Sequence, residues 1–121
     1  MSFKKQWINA LRSGKYQQHR GRLCRDDRHC CLGVGCEILV ENKLLTKDDA
    51  DECYLSEDGP IEGALDSRCR KLLGIDYAQH EVLIDLNDYC KYDFNKIADK
   101  LEEFGECLEA EVDSGSPVRG I

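Results

Sequence analysis

Eight cysteines and three histidines are the most reactive side chains in this 121-residue sequence. Four of the cysteines, Cys24, Cys30, Cys31 and Cys36, crowd into one stretch from Leu23 to Val40, LCRDDRHCCLGVGCEILV. Two chemistries could use them. A thiol at a strand-to-helix junction can be activated by the helix N-terminus. Cys31 is followed along the chain by His80 and Asn87, the residue order of papain-like enzymes. The chain is short for that fold and the order arises readily by chance, so no catalytic residue is assigned. A cysteine-dependent enzyme is kept as an alternative. Zinc is the second chemistry, with His19 and His29 as additional ligands. The four cysteines are separated by five, no and four residues, with none of the C-x2-C pairing that structural zinc sites use. Adjacent Cys30 and Cys31 would also point opposite ways in a strand. Neither metal nor cofactor is expected, and the thiols are expected to be free, reduced and mainly buried, where cysteine behaves as a small hydrophobe.

A second candidate lies just upstream. Lys15 to Arg22, KYQQHRGR, places Tyr16, Gln18, Arg20 and Arg22 in a polar loop beside an apolar segment. Polar groups next to an apolar wall favour oriented binding of a small molecule, here an anionic one such as a phosphorylated compound or nucleotide. Charge is divided along the chain. Residues 1–30 carry eight Lys or Arg against two Asp, whereas residues 31–121 carry nine basic and 22 acidic residues, for a net charge of −7. Three consequences are open: a basic patch for nucleic acid, two halves that attract each other, or complementary faces of a homo-oligomer. A helix-turn-helix is disfavoured, because the segment after DFNKIADKLEEF is ECLEAEVDSG, which phosphate would repel. The acidic side chains Asp99, Glu102, Glu103 and Glu106 form a candidate surface for a protein partner. Such a surface can occupy a basic groove on another protein by charge complementarity.

The elements that must position these residues follow from periodicity. Phe3, Trp7, Ile8 and Leu11 form one face of a helix from Phe3 to Ser13, capped by Ser2 and stopped by Gly14. Trp7 is the expected core anchor. Gly21 to Arg25 and His29 to Leu32 read as two strands around an Asp26-Asp27 turn. Cys31, Val34 and Ile38 then recur at helical spacing. Gly33 and Gly35 inside that helix cost roughly 1 kcal/mol each relative to alanine, which predicts another element packed against them. Thr46-x-x-Asp49 resembles a capping box, so Leu44 to Glu52 is expected to be a short helix or turn. Cys53 to Leu55 reads as an isolated strand, and Ser56 to Gly63 as a loop. Three helices follow: Ile61 to Leu73, Tyr77 to about Tyr89 capped by Asp76, and a last one capped by Asp93. The expected fold is α+β, a small single domain over residues 1–111 with a short β-hairpin packed against four to five helices. Residues 112–121 are expected to form a disordered tail.

The chain resembles a family of small uncharacterised proteins found in bacteriophage and bacterial genomes. The likeness rests on W-x-x-A-L-R-S-G-x-Y at Trp7 to Tyr16, with Gln18 meeting the family's Tyr-x-Gln, and on C-C-L-G-V-x-C at Cys30 to Cys36. It continues in L-x-x-L-N-D at Leu83 to Asp88 and F-x-x-I-A-D at Phe94 to Asp99. It covers about residues 5 to 104. It implies an accessory gene product that serves host takeover or defence evasion. The N-terminus carries charges and a tryptophan where a secretion signal would have an unbroken apolar run, and no apolar run reaches the roughly 18 to 20 residues that span a bilayer. The expected location is therefore the cytoplasm, the host's if the gene is a phage gene. The function expected is non-enzymatic binding of a host or defence protein. Binding of an anionic small ligand through the basic loop is the alternative; nucleic acid is less favoured and no membrane contact is expected.

Overall fold

Ser2 starts the first helix as its sequence suggests: its hydroxyl accepts the Lys5 N–H at 3.1 Å at the head of α1 (Phe3–Arg12). The structure, a computed structural model, describes residues 2–48, 50 and 52–110, and for 105–110 the backbone alone. Gly14 follows α1 at φ +78°, the left-handed geometry that ends many helices. Trp7, Ile8 and Leu11 are buried on the expected face. Lys4 is buried too, and its ammonium donates to the Gly74 carbonyl at 2.9 Å. Gly74 is the C-cap of α3 (Ser67–Leu73), where a cation is favourably placed.

The polar loop after α1 contains a short strand, β1 (Gln17–Gln18). It pairs in parallel with β3 (Arg28–His29), which pairs antiparallel with β2 (Cys24–Arg25). The hairpin turns through Asp26 and Asp27, at φ 53° and 63°. Short polar side chains tolerate that region, and two-residue hairpins with right-handed strand twist require it. The expected strands are thus present but shorter, and the loop reading of Gln17–Gln18 is corrected by the pairing with Arg28 and His29. The next segment is helical, α2 (Cys31–Glu41), and both of its glycines are contact points. A Cβ on Gly33 would fall 1.7 Å from the Leu23 carbonyl oxygen, and one on Gly35 would meet Leu73 and the Trp7 indole.

Residues 46–61 differ from the expectation. They form a second three-stranded sheet, β4 (Thr46–Asp48), β5 (Cys53–Ser56) and β6 (Gly59–Ile61), in that order and antiparallel throughout. Thr46 therefore starts a strand rather than capping a helix, β5 is the central strand rather than an isolated one, and Gly59-Pro60 lies in β6. The helical capping pattern was outweighed by cross-strand pairing of Thr46 with Leu55 and Lys47 with Tyr54. Pro60 lacks an N–H and sits on an edge strand, where no ladder bond is lost. The two sheets are tied by the Leu23 N–H to the Glu62 carbonyl at 2.7 Å and the Asp26 N–H to the Glu52 carboxylate at 2.6 Å.

Helix α3 begins at Ser67, six residues later than the apolar pattern suggests, because Asp66 caps it through the Cys69 N–H. Asp76 and Gln79 form a reciprocal capping box on α4 (Tyr77–Asp88). Asp93 accepts the Lys96 N–H at the start of α5 (Phe94–Ala110). The class is α+β as expected, with five helices among the described residues and more strand than one hairpin. Trp7, Leu32, Leu39, Tyr54, Leu73, Leu83, Ile97 and Leu101 are the large side chains at its centre. The tail at 112–121 lies outside the described residues. Among the described residues no helix is long and apolar enough to cross a membrane.

Candidate functional site

Cys31 is the first residue of α2, the junction at which a thiol could be activated. The preceding residue, Cys30, is the N-cap but makes no side-chain capping bond. Asn87, from α4, takes that role: its Oδ1 accepts the Cys31 N–H at 3.2 Å. The Cys31 carbonyl accepts the Trp7 indole N–H at 2.9 Å, and its thiol points at the Leu83 carbonyl at 3.8 Å. Burial holds the Cys31 thiol well above its ordinary pKa, so it stays protonated and unreactive. His80 is held elsewhere: its Nε2 accepts the Leu65 N–H at 3.0 Å, which places the ring proton on Nδ1, facing Glu81. Cys31, His80 and Asn87 therefore do not act on one reacting atom. Six of the seven described cysteines are buried and Cys90 is exposed. Burial pushes Cys30 and Cys69 up to about 12. Among the described residues no three His, Cys, Asp or Glu side chains are placed to share a metal ion.

The four residues of the ligand loop do not converge. Gln18 turns inward, its Nε2 donating to Asn87 Oδ1 and to the Tyr92 carbonyl, both at 2.8 Å. Asn87 Nδ2 returns a bond to the His19 carbonyl at 3.0 Å, and Asp88 accepts the Gly21 N–H at 3.0 Å. Arg22 pairs with Glu62 at 3.3 Å, while its buried Nε has no hydrogen-bond partner. Arg20 is exposed. Tyr16 alone of the four lines a shallow groove of about 350 Å³ between α1 and α2, with Lys15, Gln6, Asn9, Ile38 and Glu41.

Behind Tyr16 lies a cluster that the sequence offered no spacing signal to find. The Tyr16 ring meets the buried His29 ring edge-on at 5.2 Å. His29 Nε2 lies 3.2 Å from Glu37 Oε2, the atom that also receives the Tyr54 hydroxyl at 2.6 Å and the Lys47 ammonium at 2.9 Å. Burial alone would raise the Glu37 carboxyl; the bonds from His29, Tyr54 and Lys47 outweigh it and bring the group down to about 2. Burial and the bond to Glu37 push the Tyr54 hydroxyl far up. The cluster pins both sheets to α2. Its four residues come from four different elements, so only the fold brings them together.

The acidic candidates stand on α5. Asp99 and Glu102 both face Arg12 on α1, and Glu103 faces Lys100; all three carboxylates remain more than half exposed. The side chain of Glu106 lies outside the described residues.

A small α+β protein with a thiol-rich, polar-clamped core and acidic C-terminal helices is what these features define. The chain belongs to the family described as a domain of unknown function (DUF8296), whose model matches residues 1–62. No curated protein matches it, and no solved structure does.

Proposed function

We propose that this protein acts by binding another protein, with no turnover of its own, as a phage-type accessory factor that inhibits a host or defence protein in the host cytoplasm. One contrast carries the reading. Two of the four candidate ligand residues, Gln18 and Arg22, are engaged inside the molecule, whereas Asp99, Glu102 and Glu103 keep most of their surface in solvent. The resemblance to phage and bacterial accessory proteins supports the biological setting. An acidic helical surface supports a basic partner, because complementary charge steers encounter and excludes competitors.

The test has two arms. A partner captured from host extract is purified and its association rate measured against wild type, Glu102→Lys and Glu103→Lys across a salt series. Association is expected to slow as salt rises, since exposed charge is screened over about 8 to 10 Å near physiological salt, and to slow again in both variants. The second arm titrates a nucleotide panel. Saturable nucleotide binding that is lost in Arg20→Ala, with protein association unchanged in the acidic variants, would replace this reading with ligand binding.

A further inference from the structure

The geometry points to the outer face of α4 as the docking surface, and to a basic amphipathic helix of a partner protein as its occupant. This rests on the binding reading above and deepens it: the exposed α5 carboxylates steer the approach of a basic partner and set its association rate, whereas α4 makes the contact that sets its affinity. Helix α4 buries His80, Leu83 and Asn87 on its inner side. On the opposite side Ala78, Val82, Asp85 and the C-cap Tyr89 recur at i, i+4, i+7 and i+11, the spacing of one helical face. Val82 is 39% exposed and Tyr89 77%. Tyr77 is exposed as well, but Arg70 lies over its ring at 5.3 Å and the His80 ring stacks on it, so it is already partnered.

The charge around this stripe differs from that on α5. Helix α4, YAQHEVLIDLND, contains no Lys or Arg. The α5 carboxylates have internal cations: Arg12 for Asp99 and Glu102, Lys100 for Glu103. On α4, Asp88 is occupied by the Gly21 N–H and the Asn87 amide. Glu81 receives the His80 Nδ1–H, and the buried His80 ring is held towards its neutral form, so the Glu81 charge is not cancelled. Asp85 has no cation beside it among the described residues. Two uncompensated carboxylates thus border an aliphatic and an aromatic side chain. A helix with an apolar stripe and flanking Lys or Arg matches that layout in apolar spacing and in sign of charge. An exposed tyrosine, here Tyr89 at the C-terminal end of the stripe, is of the residue type that dominates interface energetics.

The probe is a fluorescein-labelled peptide of leucine and lysine, about 18 residues long and patterned to form an amphipathic helix, with a scrambled peptide of the same composition as control. Anisotropy titrations compare wild type, Val82→Glu, Asp85→Lys and Tyr89→Ser with the α5 variant Glu103→Lys. Thermal unfolding of each checks the fold, and Tyr89→Ser, at the most exposed position, serves if a helix variant does not fold. The amphipathic peptide is expected to bind about tenfold more weakly to the three α4 variants and within about twofold of wild type to Glu103→Lys. The scrambled peptide should bind about tenfold more weakly than the patterned one. Equal binding of the two peptides, or an equal loss in Glu103→Lys, overturns the α4 assignment and leaves the acidic-surface reading standing. No saturable peptide binding overturns the basic-helix occupant. Self-association of the protein that is abolished by Tyr89→Ser would show that a second copy covers the stripe, and also overturns the proposal. The binding reading itself is tested separately: it falls if a substrate is consumed over time, or if saturable nucleotide binding is lost in Arg20→Ala while protein association is unchanged in the acidic variants.

Discussion

The Oδ1 atom of Asn87 lies 3.2 Å from the backbone nitrogen of Cys31, so a helix 56 residues further along the chain caps the N-terminus of α2. The same amide receives Gln18 and donates to the His19 carbonyl. With Trp7 bonded to the Cys31 carbonyl and Arg12 facing Asp99, residues from all four motifs of this sequence join in two linked clamps. These motif residues build the fold.

Replacing Asn87 by leucine should leave the Cys31 N–H without its acceptor, take from the Gln18 amide one of its two acceptors, and cost about 2 to 4 kcal/mol. Hydrogen exchange should accelerate first at His19 and Gly21, whose loop Asn87 and Asp88 hold. Uniform exchange across the molecule would show that the clamp is not local.

Gly33→Ala tests the closest backbone approach. Alanine normally stabilises a helix interior by roughly 1 kcal/mol relative to glycine. Here the new Cβ would stand 1.7 Å from a backbone oxygen that cannot move alone, so the sign should reverse, with a loss of about 2 kcal/mol or more in denaturant unfolding. Gly35→Ala should cost less, because Leu73 can change rotamer.

Trp7→Ala should cost about 3 to 5 kcal/mol. Trp7→Phe separates packing from the hydrogen bond and should cost about 1 to 2 kcal/mol through loss of the indole N–H bond to the Cys31 carbonyl. A loss below about 1 kcal/mol for Trp7→Ala would contradict a core role.

Stability should fall with acid in two stages. His80 binds fewer protons folded than unfolded, so stability starts to drop as pH falls below the ordinary histidine value of 6.5. Glu37 is held down from 4.5 to about 2, so its contribution is complete above the upper value and is lost as pH falls towards the lower one. Glu37→Gln should flatten the acid limb of the thermal midpoint against pH. An unchanged limb would place the acid sensitivity elsewhere.

Thiol labelling in the native state should lose one fast-reacting group in Cys90→Ser, while Cys31 and Cys36 react only on unfolding. Burial keeps both as protonated thiols. Fast native labelling of Cys31 would restore the enzyme reading.

Four of the helices were legible because they announce themselves locally, whereas α3 was legible only in its C-terminal part, since Asp66 caps it inside the apolar pattern. Ser2, Asp76 and Asp93 sit one residue before an apolar repeat, and Gly33 and Gly35 mark the faces where Leu23, Trp7 and Leu73 arrive. The second sheet was not legible, because β4 and β6 are three residues each, too short for alternation to register, and are fixed by pairing with β5. Tyr16, Gln18, Arg20 and Arg22 look alike as loop residues. Only the positions of Asn87, Tyr92 and Glu62 separate the inward-facing Gln18 and the paired Arg22 from the exposed Arg20.

The clasp between α1 and α5 sets an order of events during synthesis. Arg12 waits for Asp99, 87 residues later, and Lys4 for Gly74, 70 residues later. At about 5 to 20 residues per second the apolar face bearing Trp7 leaves the ribosome on the order of 5 to 15 seconds before its last covering helix. During that interval the nascent N-terminal helix is a natural client for a chaperone. Lys5 and Arg12 are charged side chains that α1 presents beside that face until α5 arrives.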